Sequence, residues 1–133
     1  MDEAEYKRLG RQLKALGEID WSDAMNFNLG LTDQEIRSAR ANLSPHMINN
    51  PFIVCSIGTK MAMNDWGQEN WNVLLATLSD CYSQNTGLIF IGVADEFTRS
   101  EELLKNWRGQ STNLCGKLNI RESAALLSFA QLF

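Results

Sequence analysis

Two short apolar runs, each closing on glycine, constrain this chain more than any other feature in it. Phe52-Ile53-Val54-Cys55-Ser56-Ile57 runs into Gly58, and Leu88-Ile89-Phe90-Ile91 runs into Gly92. Neither run alternates with polar residues, so each predicts a strand covered on both faces, as in a parallel sheet. Between them Trp71, Leu74, Leu75 and Leu78 recur at helical spacing and predict a helix from about Gln68 to Tyr82, after which Gln84-Asn85-Thr86-Gly87 supplies turn chemistry. Leu103, Leu104 and Trp107 predict a further helix over Glu101 to Trp107, ended by Arg108-Gly109, and Thr112 to Cys115 reads as a weaker third strand. Asn119 with Glu122 forms a capping box for a helix carrying Ala124, Leu127 and Ala130. Gln131-Leu132-Phe133 reads as the start of a fourth strand. Strand and helix in regular alternation mark an α/β fold built on a mostly parallel sheet, with right-handed crossovers. A ligand is then expected beyond the carboxyl ends of the strands, at the loops after Ile57, Gly92 and Cys115.

Residues 1–50 are patterned differently. Tyr6, Leu9, Leu13 and Leu16 share one helical face, Lys7, Arg8, Arg11 and Lys14 fall on others, and Gly17 is placed to end the helix. From Glu18 to Gly30 the chain is polar, with Ile19, Trp21, Met25, Phe27 and Leu29 as isolated apolar anchors of an irregular connector. Thr32-Asp33-Gln34-Glu35 matches a capping box, so a short helix with Ile36, Ala39 and Leu43 on one side should follow. Ser44-Pro45 and Asn49-Asn50-Pro51 are expected to break it, which sets the organisational boundary at Pro51. The expectation is a helical linker over 1–50 and a partial Rossmann-like domain over 51–133.

Composition narrows the function. At 133 residues, 44% hydrophobic and 21% charged, the chain is long enough to bury a sizeable core and is not of disordered type. No apolar run approaches the about 18 residues of a membrane span, and the acidic start Met1-Asp2-Glu3 is not that of a signal peptide, so a cytoplasmic protein is expected. A net charge of −4 argues against nucleic acid as the main partner. Cys55, Cys81 and Cys115 are far apart and show no zinc or redox spacing, so they are expected to be small buried hydrophobes. The single histidine, His46, lacks partners for a triad or a metal site and is expected in a loop. No metal site is expected.

The loops carry the remaining chemistry. Gly58 permits close backbone approach, Thr59 offers a hydroxyl and Lys60 a cation, which suits a phosphate cradle; an ordinary strand-to-helix loop with an exposed lysine is the plainer account. Neither GxGxxG nor a P-loop is present. Asp95 or Glu96, after the second strand, is suited to accept ribose hydroxyls; an acid that complements a helix N-terminus is the plainer account. Gly116 and Lys117 after the third strand could approach a base or phosphate, or form a solvated turn. Trp66, Trp71 and Trp107 are expected to be packing residues.

Taken in order, these pieces resemble glycosyltransferase family 9, the heptosyltransferase-type enzymes of lipopolysaccharide core assembly. Pro51 to Thr59 resembles the strand and small-residue loop that open the family's C-terminal domain, and Asn64-Asp65-Trp66-Gly67-Gln68-Glu69-Asn70-Trp71 its K-x-W-P-x-E-x-(aromatic) segment. Leu88 to Gly92 with the acids that follow is similar to the next strand and loop. Asn113-Leu114-Cys115-Gly116-Lys117-Leu118-Asn119-Ile120-Arg121-Glu122-Ser123-Ala124-Ala125-Leu126-Leu127 resembles the family's N-L-x-G-K-(T/L)-x-(L/I)-x-E-x-A-x-L-(L/I) stretch and is the most specific piece. Leu16-Gly17 and Leu31-Thr32-Asp33-Gln34-Glu35 resemble the linker before that domain.

The resemblance implies one half of a GT-B enzyme, in which two Rossmann-like domains face each other across a cleft. The C-terminal half binds the nucleotide sugar, of ADP-heptose type, as a substrate rather than a cofactor. Gly58 and Thr59 would lie against its diphosphate, Glu96 or Asp95 would face the ribose, and the Leu114 to Lys117 loop would lie near the adenine. The reaction implied is inverting transfer without metal to a lipopolysaccharide core acceptor held by an N-terminal half, which also supplies the base; peripheral contact with the inner membrane fits that acceptor. Asn64 stands where the family has a lysine, and Lys60, four residues earlier, is the candidate substitute. The family's Asp-(T/S)-Gly-Pro-x-His loop would follow Phe133, so no catalytic residue is expected within this chain and it is not expected to catalyse alone. Two other readings compete: a non-catalytic nucleotide-binding or regulatory α/β domain, and a sheet whose open edge pairs with another chain.

Overall fold

The computed structural model describes residues 4–17, 20 and 22–133; Met1 to Glu3, Glu18, Ile19 and Trp21 lie outside the described residues. The chain divides into two compact units, residues 1–30 and residues 31–133. In the first, helix α1 (Glu5–Gln12) gives way at Leu13 to a 3-10 turn over Lys14–Leu16, closed by Gly17. The helix expected to run unbroken to Gly17 therefore tightens over its final turn, a common way for a helix to end. A second 3-10 turn, Ala24–Phe27, is capped by Asp23, whose carboxylate accepts from the Met25 N–H at 2.9 Å. The Phe27 ring meets Tyr6 edge-on, centroids 6.0 Å apart.

The second unit begins with a reciprocal cap. Thr32 accepts from the Glu35 N–H while Glu35 accepts from the Thr32 N–H, opening α2 (Asp33–Ala41) as its sequence predicts. Ser44-Pro45 opens a helix instead of ending one. Ser44 accepts from the Met47 N–H at 3.3 Å, and Pro45 takes the first position of α3 (Pro45–Asn49), where a missing N–H costs nothing. His46 is thus helical and not in a loop.

Strands β1 (Phe52–Cys55), β2 (Gly87–Phe90) and β3 (Ser111–Asn113) form one parallel sheet in the order β1-β2-β3. The register pairs Ile53 with Leu88 and Val54 with Ile89, so these pairs face opposite sides. Phe52, Val54, Ile89 and Leu114 pack with Ala39, Met47, Ala125 and Leu126 on one face. Ile53, Leu88, Phe90 and Cys115 pack with Leu75, Leu103 and Trp107 on the other. Helices α2, α3 and α6 (Ile120–Leu127) thereby cover one side, and α4 (Gln68–Tyr82) and α5 (Phe97–Leu104) the other. Both layers bury the unalternated strands, each enclosed Leu, Ile or Phe contributing about 1.5–3 kcal/mol.

The three later helix predictions fare differently. α4 spans Gln68–Tyr82 as its periodicity indicates, and α6 opens on the Asn119–Glu122 capping box. α5 begins and ends earlier than the expected Glu101 to Trp107, because a 3-10 turn over Ala94–Glu96 leads directly into it; Trp107 lies beyond its end and is buried. Cys115 is buried and Cys55 partly so, but Cys81 is exposed on α4, contrary to its expected burial. Gln131 to Phe133 does begin a fourth line of pairing: the Val54 N–H donates to the Leu132 carbonyl and the Gln131 N–H to the Phe52 carbonyl, both at 2.9 Å. The spatial order is therefore Leu132, β1, β2, β3, and connectivity reverses direction between β1 and Leu132.

Candidate functional site

The carboxyl ends of the three strands are held in register beyond the strands themselves. The Ile91 N–H donates to the Cys55 carbonyl at 3.0 Å, the Leu114 N–H to Phe90 and the Gly116 N–H to Gly92, both at 2.8 Å. These bonds bring the loops carrying Gly58, Gly92 and Gly116 side by side. Gly116 has φ +74°, and a Cβ there would stand 2.8 Å from the Ala94 Cα, so the β3 loop seats against the turn that carries Glu96 only as glycine. Gly58 and Gly92 flank the Glu96 carboxylate so closely that a Cβ on either would overlap it. The Val93 N–H donates to Glu96 Oε2 at 3.2 Å, fixing one carboxylate oxygen in this notch.

Two open cavities meet at Glu96. One, of about 350 Å³, is lined by Gly58, Thr59, Asp65, Asp95, Glu96 and Arg99. The other, of about 520 Å³, is lined by Ser56, Gly58, Thr59, Lys60, Glu96 and Ser123, and by Phe133. The larger groove lies where the strand order reverses between β1 and Leu132, the position at which open α/β sheets take ligands, and it is of ligand size. Their charges differ. The smaller cavity sets three carboxylates against one guanidinium, whereas the larger sets Lys60 against Glu96, so an anionic group is better accommodated in the larger groove.

The sequence-predicted residues sort accordingly. Gly58, Thr59, Lys60 and Glu96 come together around the larger groove, with Lys60 exposed and the Thr59 hydroxyl donating to the Met61 carbonyl at 2.9 Å. Asp95 is exposed and lines only the smaller cavity of the two, so the structure distinguishes the two adjacent acids. Asn64 ends a 3-10 turn, Ala62–Asn64, and lines neither cavity. Gly116 and Lys117 also line neither; the Lys117 ammonium donates to the Asn113 carbonyl at 3.0 Å and stands 5.4 Å from the Phe97 ring centroid, bracing the β3 loop on α5. Trp107 is buried and Trp71 packs edge-on against Phe90, as expected of packing residues, while Trp66 stays half exposed beside Trp71.

Sequence reasoning missed Arg99 and Asp65. The Arg99 guanidinium donates to both Asp65 carboxylate oxygens at 2.6 and 2.9 Å, and its Nε donates to Gln68 Oε1 at 3.0 Å. Arg99 holds the Asp65 carboxyl down to about 2, and the Gly67 N–H adds to that at 2.8 Å. Asp65 two residues before Gly67 could have been read as a turn-forming side chain, but nothing local points to Arg99 as its partner. Burial pushes the Cys55 thiol up to about 11 and raises Cys115 as well, so both are protonated at neutral pH and neither is a ready nucleophile. Among the described residues, no group of three His, Cys, Asp or Glu side chains could hold a metal ion, and no helix is long and apolar enough to cross a membrane. The chemistry offered is recognition: a fixed carboxylate for hydroxyls, and backbone, hydroxyl and ammonium groups for an anion.

Comparison with known proteins gives a concordant result. The family model described as glycosyltransferase family 9 (heptosyltransferase) matches residues 8–133. Among solved structures, a glycosyl transferase family 9 protein from Veillonella parvula DSM 2008 superposes with a TM-score of 0.71 at 16% identity, covering 90% of this chain and 35% of that one. An ADP-heptose lipopolysaccharide heptosyltransferase II from E. coli gives a TM-score of 0.59 at 17% identity, covering 79% of this chain and 32% of that one. At these identities the superpositions establish a shared α/β fold. The chain spans about a third of the length of each. No curated protein matches its sequence.

Proposed function

Because the chain belongs to glycosyltransferase family 9, we propose that it forms the nucleotide-sugar-binding part of a two-domain, GT-B-type transferase. Residues 51–133, with α2 and α3 packed beneath their sheet, would bind the donor, and the segment before Leu31 would connect to an acceptor-binding half. The donor is of ADP-sugar class, and the acceptor is a lipopolysaccharide core reached at the cytoplasmic face of the inner membrane. The likeness to an ADP-heptose lipopolysaccharide heptosyltransferase supports this choice. One observation carries the reading: the Glu96 carboxylate is held in the Gly58–Gly92 notch at the mouth of the groove where the strand order reverses. A carboxylate so fixed accepts hydrogen bonds from two vicinal ribose hydroxyls. The diphosphate then extends toward the Gly58 and Thr59 backbone and the Lys60 ammonium, which stands in for the lysine replaced by Asn64. The base then lies along Leu118 and Ile120 in the groove wall, just beyond the Leu114 to Lys117 loop.

In inverting transfer the acceptor hydroxyl attacks the anomeric carbon as the bond to the leaving diphosphate breaks. The charge that develops on that diphosphate is met by Lys60 and the backbone N–H groups of this loop. The proton leaves the acceptor to a base on the opposite half. Calorimetric titration tests the binding step. ADP should bind the 133-residue chain, Lys60→Ala should weaken it several-fold, and Lys105→Ala should not. In the unmodified chain 2′-deoxy-ADP should bind more weakly than ADP, and Glu96→Gln should collapse that difference. No heat at millimolar ADP would remove the donor site from this chain.

A further inference from the structure

The loop from Gly58 to Gly67 has little burial to hold it. Met61, Met63 and Trp66 are all exposed, Met63 at 84%, and Thr59 and Asn64 bond only locally, to the Met61 carbonyl. Its long-range polar tie comes from α5, where Arg99 grips Asp65 and Gln68 across more than thirty residues of sequence. We propose that Arg99 is the positioning residue of the donor loop: by holding Asp65 and the first residue of α4, it keeps Gly58, Thr59 and Lys60 opposite Glu96 without itself binding the phosphates. This rests on reading the larger groove as the nucleotide site.

The geometry separates positioning from direct anion binding. A guanidinium that engages both oxygens of one carboxylate has its planar fork committed and its charge met. Asp95 and Glu96 line the same cavity as the pair, so a phosphate arriving there would meet excess negative charge. Lys60, on the other side of Glu96, faces no such excess. The two roles therefore predict opposite signs for one substitution. Were Arg99 the phosphate ligand, Asp65→Asn would free its charge and tighten ADP; as the anchor of the loop, Arg99 needs Asp65, and Asp65→Asn loosens ADP.

The experiment titrates ADP calorimetrically into the full chain and into Asp65→Asn, Arg99→Gln and the double variant, each checked for native urea unfolding. Each single variant should weaken ADP about tenfold, the penalty of a misplaced binding group. The double variant should be no worse than either single one, because the two residues act as a unit. Arg108→Ala, which removes the exposed ion pair to Asp80 at 2.6 Å, should leave affinity unchanged. Tighter binding by Asp65→Asn, additive losses in the double variant, or unchanged affinity in both single variants would each overturn the proposal. Absence of ADP binding by the unmodified chain would instead defeat the nucleotide reading, and this inference with it.

Discussion

Alanine at Gly116 and alanine at Gly58 meet obstacles of different kinds. At Gly116 the backbone sits at φ +74°, and the new Cβ would press on the Ala94 backbone, which cannot swing aside. The strained conformation and the overlap together should cost roughly 2–4 kcal/mol, read as a lower urea midpoint. At Gly58 the obstacle is the tip of the Glu96 side chain, which can rotate away. Gly58→Ala should therefore lose less than about 1 kcal/mol of stability and yet weaken ADP strongly, because the displaced carboxylate no longer faces the groove. Native affinity in Gly58→Ala would show that the notch does not matter. The glycines were legible in sequence as points of close approach. What approaches them was not: choosing Glu96 over Asp95 depends on the 3-10 turn at Ala94–Glu96 and on Gly92, and local propensity does not distinguish adjacent acids.

Elements whose signals are local came through intact. The capping boxes at Thr32–Glu35 and Asn119–Glu122 each satisfy helix N–H groups with side chains three residues apart, so the sequence alone specifies them. Ser44-Pro45 misled because a helix-breaking pair inside a helix is also a cap and first residue at its start, and only tertiary packing of Met47 decides between them. The caps also carry a tie invisible in sequence. Glu35 accepts from Arg121 at 2.7 and 3.1 Å, joining α2 to α6, and Ser38 donates to Glu122 beside it. Arg121 and the Thr32 N–H bring the Glu35 carboxyl from 4.5 to about 2. A carboxyl lowered on folding stabilises the protein above its unfolded value and loses that contribution as pH falls through the folded one. Urea midpoints should thus fall between about pH 4.5 and pH 2, and Glu35→Gln should flatten that fall. Some slope should persist, since Asp65 and Glu122 are lowered in the same direction. An unaltered pH profile in Glu35→Gln would mean that the pair does not form in solution.

At the scale of the molecule, strand–helix alternation made the α/β class legible, because two-sided burial of a strand imposes a pattern that periodicity analysis can see. Placement of residues 31–50 was harder to see, since α2 and α3 look like any amphipathic linker until Ala39, Leu43 and Met47 are found in the core beneath β1 and β2. Among the described residues, both hydrophobic clusters draw their members from Leu31 onward. Among the described residues of α1 and the two 3-10 turns that follow it, none is buried. The described side chains of both clusters and of the groove walls thus all belong to residues 31–133. A chain starting at Leu31 should unfold cooperatively, with stability within about 0.5 kcal/mol of the parent, the range of changes that touch no core or network. It should bind ADP with the same affinity, because Ser56, Gly58, Lys60, Glu96 and Ser123 all lie in the retained unit. Urea titration and calorimetry on the shortened chain read both quantities. A broad, non-cooperative transition would show that the sheet needs its N-terminal segment to fold. A cooperative transition with lost ADP binding would place part of the nucleotide site within residues 1–30.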